Sequence, residues 1–346
     1  MSRARNLADL LDANGDVASG ALDNVPPSND ASALTTGTLP VERVPYVGRR
    51  NLIINGGFQV WQRSTSGSGN GYKSADRWYN NFYNSGTCTT SIRTDATGQN
   101  FTTYARVEQS SAGVENDMQA IFQNIEGTYA VGKTITVSFT ARASKTLATC
   151  RVRQCFSTPQ TFTLTTDWQR FTFTGTAVAY GSNTRVNIDL GLNNDTWYAD
   201  IAEVQLEVGS VATPFEHRSY GEELALCQRY FQQSSQAGGN PYANRYVPIF
   251  RYNSAGEWYG HQEFPVPMRS DPTMTTSTGS SGTWGMWWNG TGTASLTSGL
   301  PTCDGSRHGF HFYLTNNVST VGYGGMTTHG DGSSSYRWEW FADAEL

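Results

Sequence analysis

Between Arg50 and Arg218 apolar and polar residues alternate with a period of two. In Thr134–Arg142, Ile135, Val137, Phe139 and Ala141 alternate with Thr134, Thr136, Ser138 and Thr140. In Arg185–Leu192, Val186, Ile188, Leu190 and Leu192 alternate with polar residues or glycine. In Ala199–Val208, Ala202, Val204, Leu206 and Val208 alternate with Ile201, Glu203, Gln205 and Glu207. A period of two describes strands with one buried and one solvated face. Several such strands, broken by Gly, Asn and Ser turns, predict a β-sandwich.

The flanks read differently. In residues 1–48, Arg5 to Leu11 could form one or two helical turns ended by Asn14-Gly15, and a Ser/Asn/Pro-rich stretch follows without core-forming periodicity. Its sparse apolar residues, Leu34, Leu39, Val41 and Val44, cannot be sheltered by one chain. In residues 219–346, Ser219-Tyr220-Gly221-Glu222 reads as a capping box. The Glu223–Gln232 helix it opens would carry Leu224, Cys227 and Phe231 on one stripe. Short strands follow at Arg245–Arg251, Gly309–Leu314 and Tyr336–Phe341. The expected class is therefore all-β, in three parts: an extended segment at 1–48, a sandwich at 49–218, and a smaller C-terminal β domain with a leading helix at 219–346.

Composition narrows the functions. The chain has 346 residues and a net charge of −5, with acids and bases interspersed, so it offers no polybasic face for nucleic acid or anionic lipid. Only 15% of residues are charged while 12% are aromatic, the balance of a turn-rich β protein that works at a surface. No apolar run is long enough to cross a membrane. The Met1–Asp12 segment carries acids within its only apolar stretch and reads as no signal-peptide core, so the chain is expected to be made and kept in the cytosol or to leave it by another route such as cell lysis. The five cysteines, Cys88, Cys150, Cys155, Cys227 and Cys303, are an odd, scattered set that fits free buried thiols better than a disulfide framework or a zinc site.

Asn51-Leu-Ile-Ile-Asn-Gly-Gly-Phe-Gln-Val-Trp-Gln-Arg63, followed by Ala75-Asp76-Arg77-Trp78-Tyr79, resembles the opening of a β-sandwich that recurs in bacteriophage tail fibres and receptor-binding proteins. The same opening is similar to that of family 4 carbohydrate-binding modules. Segments 121–142, 164–173 and 197–207 resemble that family's later strands in the correct order, which implies a jelly roll. Residues 33–45 resemble the shaft segments of phage fibres, in which three chains wind together. Residues 223–231 and 264–273 resemble the link and terminal domain of such fibres. The resemblance implies a homotrimeric fibre in the virion that attaches through its N-terminus to tail or baseplate proteins and binds a host-surface glycan or protein. A fold does not carry function with it, so sugar binding has to be argued from a site.

Candidate chemistry is thin. None of His217, His261, His308, His311 and His329 lies in a nucleophile-elbow motif. Glu257, Glu263, Asp304, Asp331 and Glu339 are candidate glycosidic acids, but sequence spacing cannot set their separation. The expectation is recognition without catalysis, with no cofactor; a structural adaptor fibre and a glycan depolymerase are the alternatives. Family resemblance also suggests a calcium ion at Asp200 with backbone oxygens around Asn55 and Gly57, although Gln59 stands where the family often has an acid. A strand acid held by hydrogen bonds is the competing reading of Asp200.

The aromatic cluster Thr283–Gly290 reads as a loop whose indoles could stack on sugar C–H faces. Trp284, Trp287, Trp288 and Asn289, with Trp258 and Tyr259, are therefore the candidate ligand-binding residues; packing in a core or trimer interface is the competing reading. A second place to look is the sandwich around Trp78, Tyr79 and Tyr83.

Overall fold

The computed structural model describes residues 50–82, 87–113, 118–192, 194–234, 246–251, 257–277, 284–288, 292–296, 302–315, 324–327 and 339–346. The shaft-like segment 1–48, and with it the expected trimer axis, lies outside the described residues. Eleven strands precede the helix: β1 (Ser66–Ser68), β2 (Tyr79–Asn81), β3 (Thr87–Arg93), β4 (Tyr104–Ser111), β5 (Met118–Ile125), β6 (Thr134–Ala143), β7 (Leu147–Arg153), β8 (Gln160–Leu164), β9 (Gln169–Thr176), β10 (Thr184–Leu192) and β11 (Trp197–Val208). They form a six-stranded sheet, β1-β3-β4-β11-β6-β9, and a five-stranded sheet, β2-β5-β10-β7-β8, each antiparallel throughout. Ile135, Val137, Phe139 and Ala141 of β6 meet Val186, Ile188 and Leu190 of β10 in one core, as their alternation requires.

Strand β11 departs from the simple alternation. Ala199 and Ile201 enter the core, then the parity changes and Val204 and Leu206 take over. The cause is a bulge between Ala202 and Gln205, where Glu203 adopts φ 53°. One extra residue exchanges the two faces of a strand. Ala202, expected inside, instead joins Phe101 and Tyr104 in a small cluster outside the main core.

The Asn51–Arg63 opening is an internal clamp. Asn51 Nδ2 donates to the Val204 carbonyl (3.1 Å), while its Oδ1 accepts from Ile53 N and Leu206 N. Gly56 is required because a Cβ there would lie 2.1 Å from the Val204 carbonyl oxygen. Phe58 stacks on Trp78 with ring centroids 5.1 Å apart, and the Trp78 indole donates to the Asn55 carbonyl (3.0 Å). The most family-like residues of the sequence therefore build the core. Trp78 is fully buried and presents nothing to a ligand.

Helix α1 (Tyr220–Gln228) starts at the expected capping box, with Ser219 and Glu222 each bonding the other's backbone. Leu224 and Cys227 pack on Ile54 and Val60 of the opening segment. The helix is shorter than expected: it stops at Gln228, and Phe231 lies on strand β12 (Phe231–Gln233). Pairing of Phe231 with Asp343 outcompetes the continued helical stripe.

The remaining strands are β13 (Tyr246–Arg251), β14 (Glu257–Glu263), β15 (Thr273–Ser277), β16 (Trp284–Trp288), β17 (Gly292–Leu296), β18 (Thr302–Ser306), β19 (Gly309–Thr315), β20 (Gly324–Thr327) and β21 (Glu339–Asp343). They form a seven-stranded antiparallel sheet, β17-β16-β20-β13-β14-β19-β18, and with β12 a three-stranded one, β12-β21-β15. Phe310 packs on Trp340 (4.9 Å) and Phe264, joining the two sheets. The chain then returns to the sandwich. Glu345 binds Arg63 (3.2 Å) and the buried Arg77, and the Leu346 carbonyl accepts from Tyr72 and Asn124. Arg49–Leu346 accordingly forms one compact unit.

Candidate functional site

On the five-stranded sheet, strand parity sends Ile121, Val152 and Ile188 into the core and leaves the alternate residues on the open face. Register then aligns Tyr79, Phe122, Asn187 and Arg153 in one row across β2, β5, β10 and β7. A neighbouring row contains Asn81, Ala120, Asp189, Arg151 and Thr161. Asp189 is buried beneath two arginines: Arg151 Nη2 approaches at 2.9 Å, Arg153 Nε at 2.8 Å, and Asn187 Nδ2 donates at 2.6 Å. This network holds the arginines flat on the face and gives it fixed hydrogen-bonding edges.

Beside the network runs a track of rings and guanidinium groups. Tyr79 stacks on Phe122 with centroids 4.5 Å apart and planes at 13°. Arg185 covers the far side of the row, its guanidinium carbon 3.9 Å from the Phe122 ring and 3.8 Å from the Tyr180 ring. In the other direction Tyr72 meets Tyr79 edge-on at 5.2 Å, and Arg63 lies over Tyr72 (5.5 Å) and Phe231 (3.7 Å). Phe231 and Phe341 form the end of the track, 6.4 Å apart on the three-stranded sheet. A cleft of about 530 Å³ opens there, lined by Arg63, Phe231, Gln233, Phe341, Asp343 and Glu345.

Tyr79, Tyr72 and Arg185 are partly exposed and Tyr180 is exposed, so the track is open to a ligand along much of its length. Burial, reinforced by the Glu345 carboxylate, pushes the Tyr72 phenol up to about 12, so it remains a hydrogen-bond donor at neutral pH. Burial also pulls Arg185 below its ordinary value, and repulsion from Arg153 acts in the same direction. The guanidinium nevertheless stays charged.

Of the six residues that the sequence offers as ligand contacts, five are divided between the two faces of the seven-stranded sheet. Trp284, Trp287 and Trp288 lie on strand β16, not in a loop, paired with β17 and β20. A stretch rich in aromatic residues has high strand propensity, and here that outweighs its glycine-rich flanks. Register through β20, β13, β14 and β19 puts Trp284, Trp288 and Trp258 on the face that carries the fully buried Phe310. Trp287 and Tyr259 lie on the opposite face, which carries the exposed His261, His311 and Asp304. Asn289 and Tyr83 lie outside the described residues.

Asp200 has both carboxylate oxygens occupied, by Arg106 Nε (2.7 Å) and Nη2 (2.9 Å) and by Arg142 Nε (2.9 Å). The Asn55 carbonyl accepts from Trp78 and Phe58, and the Gly57 carbonyl accepts from Thr103. Asp200 is thus the strand acid held by hydrogen bonds rather than a calcium ligand, and no acidic, histidine or cysteine cluster able to hold a metal is found among the described residues. Cys88, Cys150, Cys155 and Cys227 are free and buried. Burial pushes the Cys150 and Cys155 thiols up to about 12, far from nucleophilic use.

The track escaped sequence reasoning because its members lie at 63, 72, 79, 122, 180, 185, 231 and 341, with no shared motif. Of these, Tyr79 alone stands among the ligand contacts that the sequence offers.

No family model and no curated protein matches the sequence. Among solved structures the chain is similar to a family 4 carbohydrate-binding module described as "CBM4 structure and function", at 24% identity over 45% of this chain and 98% of that one, TM-score 0.32. It is also similar to the module TmCBM61, solved with β-1,4-galactotriose, at 12% identity over 46% of this chain and 99% of that one, TM-score 0.30. A third likeness is to the enzymatically active domain of tailspike protein 4 of bacteriophage CBA120, at 14% identity, TM-score 0.31. That match covers 46% of this chain and 21% of the tailspike chain.

Proposed function

We propose that this protein is a bacteriophage tail fibre or receptor-binding protein that attaches the virion to a host-surface glycan, with the open face of the five-stranded sheet as its platform. The observation that carries the glycan reading is the ring track from Tyr72 through Tyr79 and Phe122 to Tyr180. Sugar rings offer flat C–H faces that stack on aromatic side chains, while their hydroxyls need donors and acceptors at the rim. Asn81, Arg151 and Arg153, each partly exposed, supply that rim. The fibre reading rests on the resemblance of residues 33–45 to trimeric shaft segments. Three platforms on one homotrimer would raise the effective concentration of each next contact, so weak single sites would give usable avidity. Residues 1–30 would dock to the tail or baseplate.

The Trp287 and Tyr259 face is the second candidate platform, on backbone register alone. A glycan array probed with the purified full chain tests the reading, with light scattering for the trimer. Binding that Tyr79→Ala removes supports the platform. A trimer silent on every glycan marks a structural adaptor, release of reducing sugar marks a depolymerase, and a monomer at micromolar concentration contradicts the fibre.

A further inference from the structure

The guanidinium groups near the track are not equivalent. Arg63 faces Asp343 (3.0 Å) and Glu345 (3.2 Å), and Arg77 faces Glu345. Arg151 and Arg153 share Asp189. Arg185 has no carboxylate partner among the described residues. Its Nε donates to the neutral Asn124 Oδ1 (2.7 Å), and its plane is fixed between Phe122 and Tyr180. Among the described residues of the open face of β2, β5, β10, β7 and β8, the charged groups are Arg151, Arg153, Arg185 and Asp189. Three cations thus face one anion, on a chain whose net charge is −5.

An arginine fixed by stacking keeps its fork pre-organised, and that fork matches a carboxylate in shape and charge. A cation left uncompensated on a ligand platform is a natural seat for an anion carried by the ligand. Rings on both sides would hold a sugar alongside while its carboxylate reached the guanidinium edge. We infer that the glycan bound on this face is acidic, a polymer or oligosaccharide bearing uronic or other carboxylated sugars, with Arg185 as the residue that docks the carboxylate.

This inference rests on the glycan-platform reading, and the test separates the two. Full-length protein is titrated with polygalacturonate, alginate and hyaluronan, and with the carboxyl-reduced, neutral form of each. At least one acidic polymer should bind about tenfold or more tightly than its reduced form, a preference that weakens with added salt. Arg185→Gln should bring the acidic polymer down to the level of the neutral one and remove the salt dependence of the preference. Because the comparison of acidic and neutral polymers uses unaltered protein, it remains decisive even if the variant folds poorly. Equal affinity for both forms, or binding only to neutral glycans on an array, overturns the acidic inference and leaves the platform standing. Binding to no glycan at all overturns both.

Discussion

Tyr79 and Phe122 lie directly opposite each other on neighbouring strands, with ring planes only 13° apart and centroids at 4.5 Å. Phe122 is buried under its partner while Tyr79 is partly exposed, so the outer ring is the one a ligand would meet. Tyr79→Ala should weaken glycan binding by about tenfold or more, ~1.4 kcal/mol. Loss of the stack should cost only about 1 kcal/mol of stability. Isothermal titration and thermal melts of the same preparation check both halves. Unchanged binding would remove Tyr79 from the platform.

Arg77 is buried and pairs with Glu345, two residues from the end of β21, while Tyr230 covers its guanidinium at 3.5 Å. Removing one member of a buried ion pair leaves the other charge uncompensated. Glu345→Ala should therefore destabilise the protein by about 3–5 kcal/mol, measured by denaturant unfolding. It should also release the Leu346 contacts to Tyr72 and Asn124, visible as faster amide exchange at the edge of the track. A loss below about 1 kcal/mol would show that the returning C-terminal segment does not secure the sandwich.

The two neighbouring indoles of β16 should behave differently. Trp288 shares a face with the buried Phe310, and Trp287 lies on the other face with the exposed His261 and His311. Trp288→Ala should therefore lower stability more than Trp287→Ala. Thermal unfolding of the two single variants distinguishes them, and equal losses would contradict the register.

Burial pushes the Asp76 carboxyl up to about 6, against the charge of Arg63 and hydrogen bonds from Gln62. In the unfolded chain the same group titrates near 3.9. The folded state therefore takes up the proton first as pH falls, and the Asp76 contribution to stability rises from about pH 7 to pH 4 and then levels off. The gain is at most about 2–3 kcal/mol. Asp76→Asn should abolish that segment of the stability–pH profile. A wild-type profile with no dependence on Asp76 in this window would contradict the shift.

Much of the fold is legible in the sequence because strands that keep their apolar residues on the core face write a period of two. Thr134–Ala143 shows it in β6, and Thr184–Leu192 shows it in β10. Two local events escape that reading. The Glu203 bulge exchanges the faces of β11, and Phe231 leaves its helical stripe to pair with Asp343. Both are settled by a partner distant in sequence, which no local window contains. The site is harder for the same reason. Trp284–Trp288 is conspicuous as a cluster, yet only strand pairing divides it between two faces. Tyr79, Phe122 and Arg185 come to one face only through the register of three strands. They look like ordinary strand residues until that register is known.

The measurement that bears most directly on the platform is a crystal structure of the full chain with a bound oligosaccharide from the array. The expected result is sugar rings against Tyr79 and Tyr72, hydroxyls within hydrogen-bonding distance of Asn81 or Arg153, and a carboxylate at Arg185. Sugar bound on the Trp287 and Tyr259 face, with the five-stranded sheet empty, would contradict it.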